Sequence, residues 1–140
     1  MNKISSNDLV LAALTGVLYP LTFMIPYTGL LAWVLLIPLF WAIENKSARD
    51  AFKLGLLAGL VSNFAGTYWL IGTLSRFGGF PILVSVLFII FLSAFSGLSY
   101  ALFSYIVTKL EFLRKPGIVS VLLVAAVWTS LDPPPHAARV

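Results

Sequence analysis

Few side chains in this sequence have the type and spacing needed for chemistry. The stretch G-L-S-Y-A at residues 97–101 nearly matches the G-x-S-x-G nucleophile elbow. That motif works on a strained strand-to-helix turn with a histidine base in reach. Here it falls inside a long apolar run, and the single histidine, His136, follows three prolines. We therefore expect Ser99 to be a helix residue rather than a nucleophile, and His136 to be solvated.

Other catalytic and ligand-binding patterns are missing from the sequence. It contains no cysteine, which excludes disulfides, thiolate metal sites and a cysteine nucleophile in this chain. It has no metal-ligand cluster, phosphate loop or dinucleotide fingerprint. We assign no catalytic residue and expect neither a cofactor nor a metal. The net charge of +4 does not predict nucleic-acid binding, since the basic residues lie in loops, tails or helix ends.

One turn between two apolar runs does combine residues that could bind a ligand. In "TYWLIGTLSRFGGFP", residues 67–81, one arginine and a Phe-Gly-Gly-Phe-Pro turn interrupt the apolar sequence. The guanidinium can bind phosphate through charge-assisted hydrogen bonds, and aromatic rings favour the membrane interface. The candidate lipid-contacting residues are Trp69, Arg76, Phe77, Gly78, Gly79 and Phe80. The simpler interpretation is a tight turn with an interfacial arginine.

The elements that position this turn are long apolar segments. Hydrophobic residues make up 60% of the chain and charged residues only 10%, against about a quarter in soluble domains. No formal charge occurs between Asp8 and Glu44, or between Arg76 and Lys109. A membrane-spanning helix needs about 20 apolar residues. The composition therefore predicts an all-α, polytopic membrane helix bundle.

Five apolar segments are candidates for membrane crossings. They are residues 9–24, kinked near Pro20; 30–43; a helix starting at a Ser47-x-x-Asp50 capping box and running to about residue 75; 82–108; and 118–131. The first segment is expected to be an uncleaved anchor, because no A-x-A-like cleavage site follows it. The first two segments are short, so a hairpin that does not fully cross remains the alternative to two crossings. None of the five has a charge near its middle, which argues against a proton-coupled transporter.

The basic residues predict the orientation. With the N-terminus in the cytoplasm, seven of the nine basic residues lie on the inner side, and only Arg76 and Arg139 lie outside. Lysine and arginine are retained on the cytoplasmic side of membrane proteins. The turn at residues 76–81 is therefore expected on the outer face.

Small residues occur on one face of each of two predicted helices. The sets are Gly55, Gly59, Ser62 and Gly66 on the third helix, and Ala94, Gly97, Ala101 and Ser104 on the fourth. Small residues let helix backbones approach closely in lipid. Close packing of these two helices is the preferred interpretation, and a groove for a lipid chain is the alternative. Asn63, the most polar residue within a span, is expected to hydrogen-bond between helices.

These features together resemble a known family. Residues 51–103, with their Gly-rich helix, the Trp69 position and the Phe-Gly-Gly-x-Pro turn, resemble the N-terminal membrane region of apolipoprotein N-acyltransferase. "LLAWVLLIPLFWAI" (30–43) resembles the family's second helix, and "VAAVWTSLD" (124–132) the start of its fifth. The ordered set covers about residues 29–132.

The resemblance implies a place in bacterial lipoprotein maturation. The family transfers an acyl chain from a membrane phospholipid to the N-terminal cysteine of lipoproteins, in the bacterial inner membrane. Its membrane bundle carries a nitrilase-like domain with a Glu-Lys-Cys triad on the outer face. This chain has no such domain, so we expect a fragment that is inactive alone. Its partners would be phospholipid and, in the complete enzyme, the lipoprotein and the nitrilase-like domain.

The end of the sequence departs from the family pattern. Residues 1–132 are interpreted as the N-terminal transmembrane domain. Residues 133–140, "PPPHAARV", are interpreted as an irregular tail produced by truncation or a frameshift. Two other function classes stay open. One is a stand-alone lipid-binding or assembly subunit, and the other is half of a small transporter that needs a partner copy.

Overall fold

The computed structural model describes residues 3–18, 20, 34, 36–111 and 117–131. These residues form helices and connecting turns, without strands, so the predicted all-helical class is confirmed for them. The parts of the first two predicted spans at residues 21–33, the basic residues at 114–115 and the tail at 133–140 lie outside the described residues. The helices are α1 (Ser6–Leu18), α2 (Ile37–Ile43), α3 (Ala48–Thr67), α4 (Leu70–Arg76), α5 (Ile82–Lys109) and α6 (Ile118–Leu131).

Serine caps begin the two helices on the polar side of the bundle. Ser47 is the N-cap of α3: its hydroxyl accepts a hydrogen bond from the Asp50 amide at 3.1 Å and donates to the Asp50 carboxylate at 2.8 Å. At α1 the reciprocal capping box is complete, because the Ser5 amide donates to the Asp8 carboxylate at 2.6 Å. The predicted start of the third helix at the Ser47-x-x-Asp50 capping box is confirmed.

The third predicted span is not one straight helix to residue 75. It breaks at Tyr68 and Trp69, and α4 turns away from α3 by 51°. Two side chains bond the backbone just before the break: Asn63 Nδ2 donates to the Gly59 carbonyl at 2.9 Å, and Thr67 Oγ1 to the Asn63 carbonyl at 2.6 Å. Such bonds to the carbonyl four residues back bend helices. The apolar pattern continues through the bend and therefore gave no sign of it.

Two antiparallel helices, α3 and α5, form the centre of the bundle. α1 packs on α3, α2 lies beside α1 and α3, and α6 packs on α5. The core collects buried side chains from α1, α2, α3, α5 and α6: Ala12, Leu39, Ala42, Ile43, Ala51, Leu54, Ala58, Tyr100, Phe103, Val107, Val124 and Trp128, together with Leu36 before α2. Five of the six described helices therefore contribute side chains to one hydrophobic core.

The last two helices have the bounds predicted from the sequence, to within one residue. Within the described part of the chain, α5 is long and apolar enough to cross a membrane, and α3 with α4 is a second such segment if the bent pair counts as one span. α6 buries only Val124 and Trp128. The Trp128 indole packs edge-on against Tyr100 and Phe103, with ring centroids 5.0 and 5.1 Å apart.

Candidate functional site

A cavity of about 850 Å³ opens between the C-terminal half of α3 and the middle of α5. Its polar lining comes from one face of each helix: Ser62, Asn63 and Thr67 on α3, and Ser96, Ser99 and Tyr100 on α5. Its apolar lining includes Phe95, Leu98 and Leu102. Ligand sites are typically concave and mostly apolar with a few converging polar groups. The cavity therefore suits an amphiphilic ligand.

The bend between α3 and α4 forms the mouth of this cavity. Tyr68 and Trp69 line it and remain 62% and 59% exposed. The Trp69 indole N–H donates to the Gly66 carbonyl at 3.1 Å, which holds the ring at the helix end. Because the bend carries α4 away from the axis of α3, it leaves the space beside Gly66 open.

Some of the small residues predicted on these two helix faces lie at the contact between α3 and α5, and others line the cavity. A Cβ on Gly59 would lie 2.7 Å from the Gly97 Cα, and one on Gly55 would lie 2.5 Å from Ser104 Oγ, so the backbones touch there. Ala101 is fully buried and Ala94 half-buried. Gly66 differs: it is exposed, lines the cavity, and a Cβ there would have 3.9 Å to Pro20.

Two polar residues that line the cavity form a hydrogen bond with each other. The Ser62 and Tyr100 hydroxyls lie 3.3 Å apart and join α3 to α5. Asn63, expected to bond between helices, instead donates within α3 to Gly59. Ser99 is a helix residue, as expected, and faces the cavity. Sequence reasoning gave a groove between these two helices only as the alternative to close packing, although the spacing of Ser96, Ser99 and Tyr100 puts all three on one helix face.

The candidate lipid-contacting turn stands apart from the cavity. Of its six residues only Trp69 lines the cavity, and Arg76 to Phe80 are all exposed. Gly79 has a positive φ of 68°, which favours glycine. At Gly78 a Cβ would lie 2.6 Å from the Leu74 carbonyl oxygen, so the close turn needs glycine there too. No hydrogen bond or ion pair to the Arg76 side chain occurs among the described residues, and Arg76 is exposed.

A buried ion pair lies at the opposite end of the bundle. Lys46 Nζ is 2.5 Å from Asp8 Oδ2 and donates to the Lys3 carbonyl at 3.0 Å; the lysine and aspartate side chains are only 7% and 12% exposed. Asp8 precedes the apolar run that begins at Leu9. Burial alone would raise the pKa of the Asp8 carboxyl, but hydrogen bonds from Lys46 and Ser5 and the lysine charge outweigh burial and lower that pKa.

Comparison with known proteins decides the family. Residues 15–133 match the family model described as the apolipoprotein N-acyltransferase N-terminal domain. The chain belongs to this family. It is 32% identical over 131 residues to the apolipoprotein N-acyltransferase of Geobacter metallireducens, which covers 94% of the chain. It is 29% identical over 136 residues to that of Haemophilus ducreyi, which covers 92%. No solved structure matches the chain at a significant level.

The family match includes the cavity, the bend and the exposed turn. The chain spans about a quarter of the length of the two curated relatives, 25% in each case. Lys46 lies within the matched residues, whereas Asp8 precedes them. The structure therefore describes features of the N-terminal domain of an N-acyltransferase family member.

Proposed function

We propose that this chain forms the phospholipid-binding, N-terminal membrane domain of an apolipoprotein N-acyltransferase. In this proposal, residues 1–132 make a five-span bundle in the bacterial inner membrane, with the N-terminus in the cytoplasm. The family match and the uncharged apolar segments support it. The chemistry would be the acyl transfer named for its relatives, with phospholipid as donor and a lipoprotein as acceptor.

The Asp8–Lys46 pair restricts how the first part of the chain can cross the membrane. These residues are in contact, so the segment between them must begin and end on the same side of the bundle. Two crossings meet this requirement, and so does a hairpin that stays on one side. The 35 uncharged residues between Asp8 and Glu44 favour the two crossings, because hydrocarbon is the solvent in which such a segment is stable.

The observation that carries the lipid-binding proposal is the cavity between α3 and α5. The hydroxyl and amide groups of the lining fit the glycerol ester region of a phospholipid, and the apolar side chains of Phe95, Leu98 and Leu102 fit its acyl chains. The exposed Arg76 would then bind phosphate at the outer face. In this assignment the cavity supplies most of the contact area and the turn supplies charge.

Two glycines give a matched test of the cavity. Gly66→Leu places a side chain into the cavity, where a Cβ has 3.9 Å to its nearest neighbour. Gly72→Leu makes the same change on α4. A Cβ at Gly72 has nothing within 4 Å, and Gly72 does not line the cavity. Binding of a photoactivatable phosphatidylethanolamine by the purified chain should fall several-fold for Gly66→Leu only. Equal labelling of both variants and the parent would refute the cavity as the lipid site.

The role of Arg76 is tested in a full-length relative whose turn has the same sequence. Arg76→Gln should lower acyl transfer while the protein level holds, because a neutral amide cannot neutralise phosphate. Unchanged transfer, or a fall that follows the protein level, would leave a structural turn. The chain by itself should not restore lipoprotein N-acylation in a depleted strain, since it has no cysteine for the family's nucleophile.

The two other function classes differ from this proposal in what they require. A stand-alone lipid-binding subunit would use the same cavity without an acyltransferase domain, and a transporter half would need a second copy. Sequencing the DNA downstream separates them. A reading frame for a nitrilase-like domain is expected, and its absence would favour the stand-alone subunit.

A further inference from the structure

One aromatic side chain attaches α6 to the rest of the described bundle. α6 has 14 residues and buries only Val124 and Trp128, while its first two turns are largely exposed, from 81% at Ile118 to 42% at Leu123. Its main neighbour among the described helices is α5. Trp128, the larger of the two buried side chains, is therefore the principal contact between α6 and that helix.

Trp128 packs against two rings of α5 that are almost perpendicular to it. The ring centroids of Tyr100 and Phe103 lie 5.0 and 5.1 Å from that of Trp128, with interplanar angles of 82° and 79°. Edge-to-face contacts depend on orientation, because the edge of an aromatic ring is positive and its face is negative. Phe103 is fully buried and supports one side of the indole. The indole in turn limits the orientation of the Tyr100 ring.

Tyr100 carries this contact into the cavity. Its hydroxyl lies 3.3 Å from the Ser62 hydroxyl, and both residues line the cavity although each is only 6% exposed. A Cβ on Gly59 would lie 3.0 Å from the Tyr100 Cβ, so the other end of the side chain packs against α3. Tyrosine is rigid apart from two torsion angles, so the Cβ position and the ring plane together set where the hydroxyl lies. The contact with Trp128 therefore controls how Tyr100 meets Ser62.

We propose that Trp128 is a positioning residue for the lipid cavity. It orients the Tyr100 ring so that the Ser62–Tyr100 hydroxyl pair stays together in the cavity wall, where the pair binds an ester carbonyl of the phospholipid. Polar groups that are already held in place bind a ligand at a lower entropic cost. This inference rests on the cavity of the proposed function. It adds that α6 controls the affinity of that cavity through Tyr100, although Trp128 does not line it.

A double-mutant cycle on lipid binding tests this coupling. Labelling of the purified chain by a photoactivatable phosphatidylethanolamine is titrated for Tyr100→Phe, for Trp128→Leu and for the double variant. Each single change should raise the half-saturating lipid concentration about two- to tenfold, the effect of one hydrogen bond. The double variant should bind no more weakly than the weaker single variant, because both changes remove the same contact. Trp128→Phe keeps a ring against Tyr100 and should restore most of the binding.

Two controls separate this role from a structural one. Val124→Ala truncates the other buried side chain of α6 and should leave labelling per folded molecule unchanged. The folded fraction comes from unfolding of the same samples in detergent micelles. If Trp128→Leu does not fold, Trp128→Met replaces it in the cycle, since a flexible side chain fills the site without a ring.

Four results would overturn the positioning role. They are losses that multiply in the double variant, a loss of the same size in Val124→Ala, and binding equal to that of the parent in either Trp128→Leu or Tyr100→Phe. Each would leave the cavity as the lipid site, provided that Gly66→Leu still lowers labelling. Equal labelling of Gly66→Leu and the parent would instead refute the proposed lipid site, and this inference with it.

Discussion

Asp8 and Lys46 join two parts of the chain that are far apart in sequence. Their charges are buried at the end of the bundle where α1 and α3 begin, and Asp8 also caps α1 through Ser5. A buried ion pair adds little stability compared with apolar side chains in the same place. Removing one partner, however, leaves an unpaired buried charge. The pair therefore specifies how α1 meets α3 more than it adds to stability.

Replacing one member of this pair should be strongly destabilising. We expect Lys46→Met to lower the free energy of unfolding by about 3–5 kcal/mol, because the Asp8 carboxylate stays buried without its cation. The double variant Asp8→Asn with Lys46→Met should recover most of the loss. Lys53→Met is the matched control: Lys53 is 69% exposed and 3.8 Å from Asp50, so its loss should cost at most about 1 kcal/mol. Unfolding in detergent micelles measures all three, and equal losses for Lys46→Met and Lys53→Met would contradict the argument.

The same aspartate predicts a dependence on pH. The pKa of Asp8 is lower in the folded protein than its ordinary value of 3.8, so the folded state binds this proton less readily than the unfolded state. The stabilisation is complete above the unfolded pKa and is lost as the pH falls through the folded pKa. The midpoint temperature of thermal unfolding should decrease as the pH is lowered below about 4. This part of the decrease should be missing in Asp8→Asn. Identical pH profiles would show that other carboxylates are responsible.

At the scale of elements, the contact between α3 and α5 depends on glycine. The backbones meet at Gly59 and Gly97, and again where Gly55 faces Tyr100 and Ser104. Packing of this kind holds helices together in lipid, where burial of apolar surface gives no driving force. The cavity begins toward the C-terminal end of α3, so one helix pair supplies both the tight contact and the open site.

A single methyl group at the contact should therefore disrupt it. In Gly59→Ala the Cβ would lie 2.7 Å from the Gly97 Cα and 2.8 Å from its carbonyl oxygen, and backbone atoms cannot rotate away. We expect a loss of about 1–3 kcal/mol in unfolding free energy. Gly72→Ala, with nothing within 4 Å, should instead gain about 0.5–1 kcal/mol from helix propensity. A neutral Gly59→Ala would mean that the helices are not in backbone contact.

At the scale of the whole molecule, the two ends of the bundle differ in charge. One end carries Lys46, Arg49 and Lys53 beside Asp8 and Asp50, whereas the turn at the other end has Arg76 alone. Because lysine and arginine are retained in the cytoplasm, the proposed membrane domain has the first end inside. The cavity mouth and the turn would then both lie at the outer face.

Cysteine labelling in whole cells checks this orientation. Glu44→Cys, exposed beside the inner ion pair, should resist a membrane-impermeant maleimide until the cells are opened. Phe77→Cys, on the turn after α4 where Phe77 is 87% exposed, should react in intact cells. Labelling of position 44 but not 77 in intact cells would reverse the topology. Labelling of both in intact cells would show that the first hairpin does not place position 44 inside.

Some of this structure could be predicted from local sequence. The bounds of α5 and α6 and the serine cap of α3 were predicted nearly to the residue, because each depends on neighbours within one or two turns. The bend at Tyr68 was missed, although Asn63 and Thr67 bond the backbone locally, since an apolar run reads the same straight or bent. The different position of Gly66 was also missed, because the bend decides which residues of that face still meet α5.

The sequence by itself determined the all-helical class, the apolar character of the segments and the charge difference between the ends, since these depend on composition and short-range periodicity. It also carried the family resemblance that the comparisons confirmed. Only the tertiary structure decided that Asp8 pairs with Lys46, that Ser62 meets Tyr100, and that a cavity opens beside Gly66. Each of these depends on the register and angle at which two helices pack. Many side chains set that register together, and no single segment of the sequence contains it.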